Sequence, residues 1–377
     1  MTAAPRADAR RIRVLVDLLF FTGKKGGMES YVRELYRNID SASDGVELIG
    51  FASTELAAAG APWFPGTLVD SGISGENRVA WARGELIAVS RAARRMHADV
   101  IHCPANLGPV RSRVPVVLTV HDLLPFRHPE YIPGAYAGIL RRLIRFAARS
   151  AHHLVTISEA SREDIARYLR VPPGHIDVIP LAGSPVGGTD AGVQQRGTGE
   201  VLAIGNRMPH KNFGALIEAL ARIPEAARPH LTITGSHGDD PLAPIVDRLE
   251  LGKWVSLKGW LSDEELESLY RTSTVLAFPT LFEGFGLPAL EAMARGLPVL
   301  ASDLPVLREV AGDAAEYVDS ADVGALADAL VRLLEDPTRL QRMSELGFRR
   351  AAEFSWRQTA VATLASFQRA LGSFSER

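Results

Sequence analysis

Two series of short apolar runs, parted by residues 180–199, constrain this 377-residue chain more than any other feature. In each series the runs alternate with segments of helical period, the pattern of parallel strands buried on both faces by crossover helices. The first series predicts strands at residues 12–16, 47–51, 100–103, 116–120 and 153–158. It also predicts a helix over 29–39 with Tyr31, Val32, Leu35, Tyr36 and Ile39 on one side. The second series predicts strands near 201–204, 231–234, 255–257, 275–278, 298–301 and 315–318. Residues 180–199 are rich in Gly, Pro, Ser, Thr and Gln and read as a linker. The expected fold is α/β: two Rossmann-like doubly wound domains, 1–180 and 200–354, joined at 181–199, facing a central cleft and followed by a last segment at 355–377. No repeat of solenoid period is visible.

A chain of this length is long for one core and ample for two. No apolar stretch is long enough to span a bilayer, and the N-terminus, with Arg6, Asp8, Arg10 and Arg11, has no signal-peptide core. The cytoplasm is the expected compartment. Cys103 is the single cysteine, which excludes an internal disulfide and a cysteine-rich metal site; it reads as a small buried apolar residue. Residues 1–180 hold 23 Lys plus Arg against 18 Asp plus Glu, a net of +5, and the remainder carries −7. So modest an asymmetry, with no basic stripe interleaved with aromatics, argues against nucleic acid as a partner. It permits an anionic acceptor or a membrane surface on the N-terminal half.

The densest chemistry lies in residues 279–291, Pro-Thr-Leu-Phe-Glu-Gly-Phe-Gly-Leu-Pro-Ala-Leu-Glu. They follow an apolar run and lead into helix-forming residues 289–295, so the segment reads as strand, loop, helix. In such a unit a ligand sits at the carboxyl end of the strand, where N–H groups of the loop and helix N-terminus point at negative charge. Gly284 and Gly286 allow close backbone approach, and Glu283 and Glu291 are acids suited to polyol hydroxyls. A tight turn with a capping Glu would account for the same spacing.

Glu283, seven intervening residues and Glu291, with Gly-Phe-Gly-Leu-Pro between, resemble the signature of the retaining nucleotide-sugar glycosyltransferases called group 1, or family four, which have the GT-B fold. The resemblance extends over most of the chain and is strongest from 202 to 319. It implies that Glu283 contacts donor sugar hydroxyls and Glu291 the ribose, with the amides of Phe285, Gly286 and Leu287 facing the sugar and diphosphate. It also implies an acceptor-side first domain, a nucleotide-sugar-binding second domain, and a terminal helix from 355 that returns to the first.

Other loops after predicted strands fit the same resemblance. Residues 205–212, Gly-Asn-Arg-Met-Pro-His-Lys-Asn, precede a helix from about Phe213, and in the family an Arg and a Lys here hold the diphosphate. Asn206 stands where a Gly-Arg pair is more usual, but Arg207 and Lys211 remain. Fixed cations beside a departing diphosphate stabilise the transition state more than the ground state. The resemblance places the turn of Gly235 and Gly238 near the nucleotide and the 258–260 turn at its base, although Trp260 serves equally as interdomain packing. In the N-terminal half, Gly26 and Gly27 resemble the family's Gly-Gly-x-Glu turn, which faces donor phosphate and acceptor. Lys24 and Lys25 read as a solvated loop. His121 follows an apolar strand where the family has a histidine that contacts the donor sugar. Asp122 is read as orienting that loop and Ser158 as a helix cap.

No partner carboxylate is evident beneath the anomeric carbon, as a retaining glycosidase requires. The family reading is front-face substitution, in which the leaving diphosphate oxygen takes the acceptor's proton and its electrostatic holding is the main catalytic work. No Asp-x-Asp occurs in the sequence, so neither a metal nor any other cofactor is expected. The 205–212 loop looks most like mannosyltransferases that use GDP-mannose, while UDP-glucose and UDP-N-acetylglucosamine stay open as donors. The acceptor is a glycan, a lipid-linked sugar or a small metabolite. Residues 135–151, with Arg141, Arg142, Arg145 and Arg149 beside Leu140, Leu143, Ile144 and Phe146, suit either peripheral contact with anionic lipid or an ordinary solvated helix. Rival readings are a nucleotide-sugar epimerase of the same architecture and a noncatalytic sugar-nucleotide sensor. A dinucleotide oxidoreductase is disfavoured because no strand is followed by G-x-G-x-x-G.

Overall fold

The computed structural model describes residues 10–24, 26–132, 134, 136–183, 199–236 and 239–375. The chain divides into two compact units, one of residues 1–181 with 356–377, the other of 182–355. In the first, β1 (Ile12–Leu18), β2 (Val46–Ala52), β3 (Thr67–Asp70), β4 (Val100–Cys103), β5 (Val116–Val120), β6 (His153–Thr156) and β7 (Ile176–Val178) form one sheet in the order β3-β2-β1-β4-β5-β6-β7. In the second, β8 (Glu200–Ile204), β9 (His230–Ser236), β10 (Val255–Gly259), β11 (Val275–Phe278), β12 (Val299–Ser302) and β13 (Ala315–Val318) follow the order β10-β9-β8-β11-β12-β13. Every recorded strand pair is parallel.

The central strands carry apolar runs because helices cover both their faces: β5, β11 and β12 are buried at every residue. β3 and β7, both edge strands, go beyond the sequence expectation. β3 buries none of its four residues and β7 has only three, so neither leaves an apolar run to read. The helix Gly27–Arg37 buries Tyr31, Val32, Leu35 and Tyr36, the stripe that its period predicts. The last helix, Trp356–Ser375, belongs to the first unit, where Arg357 pairs with Asp44 at 2.6 Å and Phe367 packs 5.2 Å from the His102 ring. Most of the expected linker, residues 184–198, lies outside the described residues.

Strand order decides where a ligand can enter. In each sheet the winding reverses beside the first strand, between β1 and β4 and between β8 and β11. Loops that leave the carboxyl ends there diverge and open a crevice.

Candidate functional site

In the second unit, β8 and β11 are direct neighbours, with Val201 against Val275 and Leu202 against Leu276. That register brings together two loops separated by about seventy residues of sequence. The backbone N–H of Leu281 donates to the His210 carbonyl at 2.7 Å, and the buried Thr280 hydroxyl reaches the same oxygen at 3.2 Å. So tied, the loops set Lys211 Nζ 2.5 Å from Glu283 Oε1, with both side chains largely shielded from solvent. The Lys211 ammonium also lies 5.6 Å from the Phe278 ring centre, a cation–π contact that holds the stem in place.

Beyond Glu283 the backbone reaches Gly286 at φ +100°, a conformation that disfavours any side chain; a Cβ there would meet Leu307 Cδ2 at 2.5 Å. Gly286 is the N-cap of the helix Leu287–Ala294, and its carbonyl accepts from Ala289 and Leu290. Among the described residues, the N–H groups of Phe285, Gly286 and Leu287 donate to no protein acceptor, although Phe285 and Gly286 are buried. Three open donors at a helix N-terminus, beside an ammonium, make a cradle for anionic oxygen. Farther along that helix, Glu291 Oε2 accepts from Tyr270 Oη at 3.0 Å. The Arg295 guanidinium lies over the Tyr270 ring at 4.7 Å and pairs with Glu267 at 2.6 Å. Burial, reinforced by the Glu291 carboxylate, pushes the Tyr270 phenol well above its ordinary range.

Arg207 is placed differently from Lys211. Its Nε and Nη2 grip both Asp240 oxygens at 2.8 to 3.0 Å. Nη1 donates to the carbonyls of Thr234 and Gly205 at 2.7 and 3.3 Å, and Nη2 also reaches those of Lys258 and Ile233 at 3.2 and 3.3 Å. Only 6% of the side chain is exposed, and every guanidinium N–H has an acceptor within the protein. Arg207 thus staples the ends of β8, β9 and β10 together. Gly235, at φ +95°, packs against the Gly205 carbonyl so closely that a Cβ would sit 2.5 Å from that oxygen. His237 and Gly238, which complete the expected Gly235 turn, lie outside the described residues. Trp260 is half exposed.

In the first unit, Gly26 (φ 58°, ψ −130°) caps the helix Gly27–Arg37, a conformation open to glycine. Glu29, buried in that helix, accepts from the N–H groups of Thr22 at 2.7 Å and Gly23 at 3.1 Å, so it shapes the loop on which Gly26 and Gly27 sit. Lys24 pairs with Glu76 at the surface, and Lys25 lies outside the described residues. His121 ends β5. Its Nε2 lies 2.7 Å from the Pro104 carbonyl, its N–H donates to Asn106 Oδ1 at 2.7 Å, and its carbonyl accepts from Ser161 Oγ at 3.0 Å. Burial pushes the ring down to about 4 despite the opposing pull of the Pro104 carbonyl. It is therefore neutral near pH 7, with Nε2 as donor and Nδ1 as acceptor. Asp122 Oδ1 accepts from Leu124 N at 2.9 Å, and Ser158 Oγ caps its helix through Ser161 N at 3.1 Å. The helix Tyr136–Ser150 buries Ala137, Ile144, Ala147 and Ala148 but exposes Ile139 and Phe146 by about half. Its expected first residue, Ala135, is outside the described set.

Two family descriptions match the chain: Glycosyltransferase Family 4 over residues 25–182 and Glycosyl transferases group 1 over residues 193–350. The MMP alpha-(1->4)-mannosyltransferase of Mycolicibacterium hassiacum is 34% identical over 306 residues, 74% of this chain and 72% of that one. The O-antigen chain mannosyltransferase B of Escherichia coli is 30% identical over 289 residues, 73% of this chain and 76% of that one. The chain belongs to the group 1 glycosyltransferases. Among solved structures, the sucrose-phosphate synthase of Thermosynechococcus elongatus superposes with a TM-score of 0.75 at 20% identity, covering 95% of this chain and 99% of its own, and so supports the fold. This glycosyltransferase is a hexosyltransferase of GT-B architecture, with two Rossmann-like units of parallel sheet.

Within the glycosyltransferase, the second unit gathers Lys211, Glu283 and the 285–287 amides at one crevice, while Arg207 is turned into the scaffold. Sequence reasoning missed Asp240, which engages Arg207, and Tyr270, which engages Glu291, each more than twenty residues from its partner. No local spacing announces either. It also missed the Pro104 carbonyl and Asn106, at φ +65°, which fix His121. An asparagine just beyond a strand is the one signal that could have marked that turn. No described helix is long and apolar enough to cross a membrane.

Proposed function

We propose that the enzyme moves mannose from GDP-mannose to a hydroxyl of a glycan, a lipid-linked sugar or a small metabolite, with retention of anomeric configuration. The observation that carries this reading is the Lys211–Glu283 pair beside three open amides. An ammonium and backbone donors, already fixed, suit a leaving diphosphate, whose charge grows as the glycosidic bond breaks. The names of both relatives described above support mannose as the transferred sugar.

In this reading Lys211 and the amides of Phe285, Gly286 and Leu287 hold the diphosphate, with the Gly235 turn beside it. Glu283 accepts from sugar hydroxyls while Lys211 keeps its carboxylate oriented. Glu291, positioned by Tyr270, accepts from the ribose. Arg207 acts through the backbone: it positions the 205–212 loop that carries Lys211. In the first unit the Gly26–Gly27 turn faces phosphate and acceptor, and neutral His121 accepts a donor-sugar hydroxyl at Nδ1. The acceptor hydroxyl gives its proton to the departing diphosphate oxygen as its own oxygen bonds the same face of the anomeric carbon. No metal is assigned a role. The half-exposed Ile139 and Phe146, flanked by Arg142, Arg145 and Arg149, support peripheral contact with anionic lipid.

Thermal shift with GDP-mannose, UDP-glucose and UDP-N-acetylglucosamine tests the donor. Stabilisation by the guanosine nucleotide alone, abolished in Lys211→Ala, is expected; an equal response to all three removes the assignment. Proton NMR of the first product then reads the anomeric configuration, and an inverted product excludes front-face substitution. Co-sedimentation with phosphatidylglycerol vesicles, lost in Ile139→Glu with Phe146→Glu, tests the lipid contact, and equal binding of that double variant excludes it.

A further inference from the structure

A second pocket, of about 250 Å³, opens in the first unit between the loop after β1 and the helix Thr54–Ala59. Phe21, Leu56 and Trp63 make its apolar wall, with the Phe21 and Trp63 rings stacked at 5.3 Å. Two charged side chains line it, Arg33 and Glu55. Glu55 is already engaged. Its oxygens accept from Ser74 Oγ at 2.5 Å, Gly75 N at 2.9 Å and Thr54 Oγ1 at 3.3 Å. Burial opposes ionisation, but the Ser74 hydroxyl and Gly75 N–H outweigh it and hold the carboxyl down at about 2. The N–H groups of Thr22 and Gly23, which also line the pocket, are taken by Glu29.

Arg33 is the opposite case. It is half-buried, yet among the described residues its guanidinium has no hydrogen bond and no ion pair, and the Trp63 indole N–H likewise has no acceptor. The hydrogen-bonding capacity left open by these side chains is therefore donor only: up to five N–H groups from Arg33 and one from Trp63. A guanidinium fork matches carboxylate or phosphate oxygens, and an aromatic wall takes the C–H face of a sugar-sized ring.

We infer that this pocket receives an anionic sugar, a phosphorylated or carboxylated hexose or polyol, through Arg33 and Trp63, and that the ligand is the anionic end of the acceptor. The second clause rests on the transfer reading above, whose Gly26–Gly27 turn ends the same loop. The first stands on the pocket alone.

The full-length protein, without donor, is titrated with mannose 6-phosphate, glucuronate and uncharged mannose, with tryptophan fluorescence and calorimetry as readouts. Both anionic probes are expected to bind and mannose to bind far more weakly. Arg33→Ala should weaken the anions roughly ten- to a hundredfold. Arg33→Lys should restore part of that loss, because it keeps the charge without the fork. Trp63→Phe keeps the wall, so it should retain most of the affinity but lose the fluorescence change. Saturation by one anion class alone narrows the ligand to phosphate or carboxylate. Equal affinity for mannose, no saturable anion binding up to millimolar concentration, or an Arg33→Ala protein that binds like wild type overturns the proposal. Nucleotide thermal shift on the same samples separates the two readings. Anion binding without any nucleotide response would end the transfer mechanism and leave the pocket standing; the reverse would end the pocket alone.

Discussion

The two units organise the carboxyl ends of their strands by opposite electrostatics. In the second unit, formal charges meet there in shielded pairs: Lys211 with Glu283 and Arg207 with Asp240. In the first, a neutral chain runs beneath the strand ends. Tyr36 Oη meets His102 Nδ1 at 2.5 Å, His102 Nε2 meets the Thr119 hydroxyl at 3.0 Å, and Tyr31 Oη lies 3.4 Å from that hydroxyl. Burial pushes His102 down to about 3 and Tyr31 up to about 12, so both stay uncharged over the working pH range. Paired charges can be re-partnered by a charged ligand at little desolvation cost, because the site is already polar. A neutral buried network cannot, and it serves shape instead. Exchange with ligand is therefore expected at the charged pair that has open amides beside it, Lys211 with Glu283, whereas Arg207, held by Asp240 and backbone carbonyls, belongs with the neutral network to the frame.

The sharpest way to break that comparison lies inside the second unit, between its two cations. Arg207→Ala removes one partner of a shielded pair and leaves Asp240 uncompensated, a change that costs about 3 to 5 kcal/mol in such settings. Thermal unfolding should show a large loss of stability in the second unit. An unchanged midpoint would mean that Arg207 does not staple the three strand ends. Lys211→Ala also leaves a shielded acid, Glu283, without its partner, but it breaks one ion pair rather than a guanidinium that joins three strand ends. A smaller loss of stability is therefore expected, with the fold retained and turnover down by roughly 10² to 10³, the usual effect of deleting one transition-state donor. Steady-state rates measured beside circular dichroism separate the two outcomes. If Lys211→Ala unfolds the unit while Arg207→Ala folds and loses only rate, the assigned roles are reversed.

The split between charged and neutral regions was unevenly legible in the sequence. Buried central strands declare themselves through apolar runs, and the strands 100–103, 116–120 and 275–278 coincide with β4, β5 and β11. Gly286 and Gly26 were readable as close-approach positions because only glycine tolerates their backbone angles without strain. Lys211 stood out in the loop after β8 only because the family resemblance puts a lysine there; alone it reads as a solvated surface cation. The partners were not. Whether a cation faces ligand or scaffold depends on a residue delivered by another strand, and Asp240 arrives from the loop after β9 through parallel register rather than local spacing. The buried chain Tyr36, His102, Thr119 and Tyr31 was equally hidden. Its members fall at periodic apolar positions, where tyrosine and histidine read as ordinary core.

The neutral frame predicts an acid sensitivity of its own. Folded, His102 and His121 take up a proton only near 3 and 4, against 6.5 when unfolded, so acid favours the unfolded chain. Stability is full above about pH 6.5 and is lost as pH falls from there toward 4, by roughly 1.4 kcal/mol per pH unit for each histidine. Urea unfolding of a Trp254→Phe, Trp260→Phe protein reads the first unit, since the remaining tryptophans all belong to it. Its midpoint should drop between pH 7 and 5, and His102→Gln should remove about half the slope. A flat profile would show that the network carries charge after all.

The smallest effect expected separates Glu291 from Glu283, the two acids that frame the loop. Glu291→Ala loses a carboxylate acceptor for a ribose hydroxyl, worth about 1.5 to 3 kcal/mol at most, so nucleotide affinity by calorimetry should fall by roughly ten- to a hundredfold. Tyr270→Phe leaves the carboxylate in place but unsteadied and should cost less still. Glu283→Gln keeps an acceptor for sugar hydroxyls but dissolves the ion pair with Lys211, so its loss should fall on turnover while nucleotide affinity holds. Equal nucleotide affinities in Glu291→Ala and wild type would make Glu291 a brace for Tyr270 and Arg295. Ligand contact along the helix Leu287–Ala294 would then stop at its first turn.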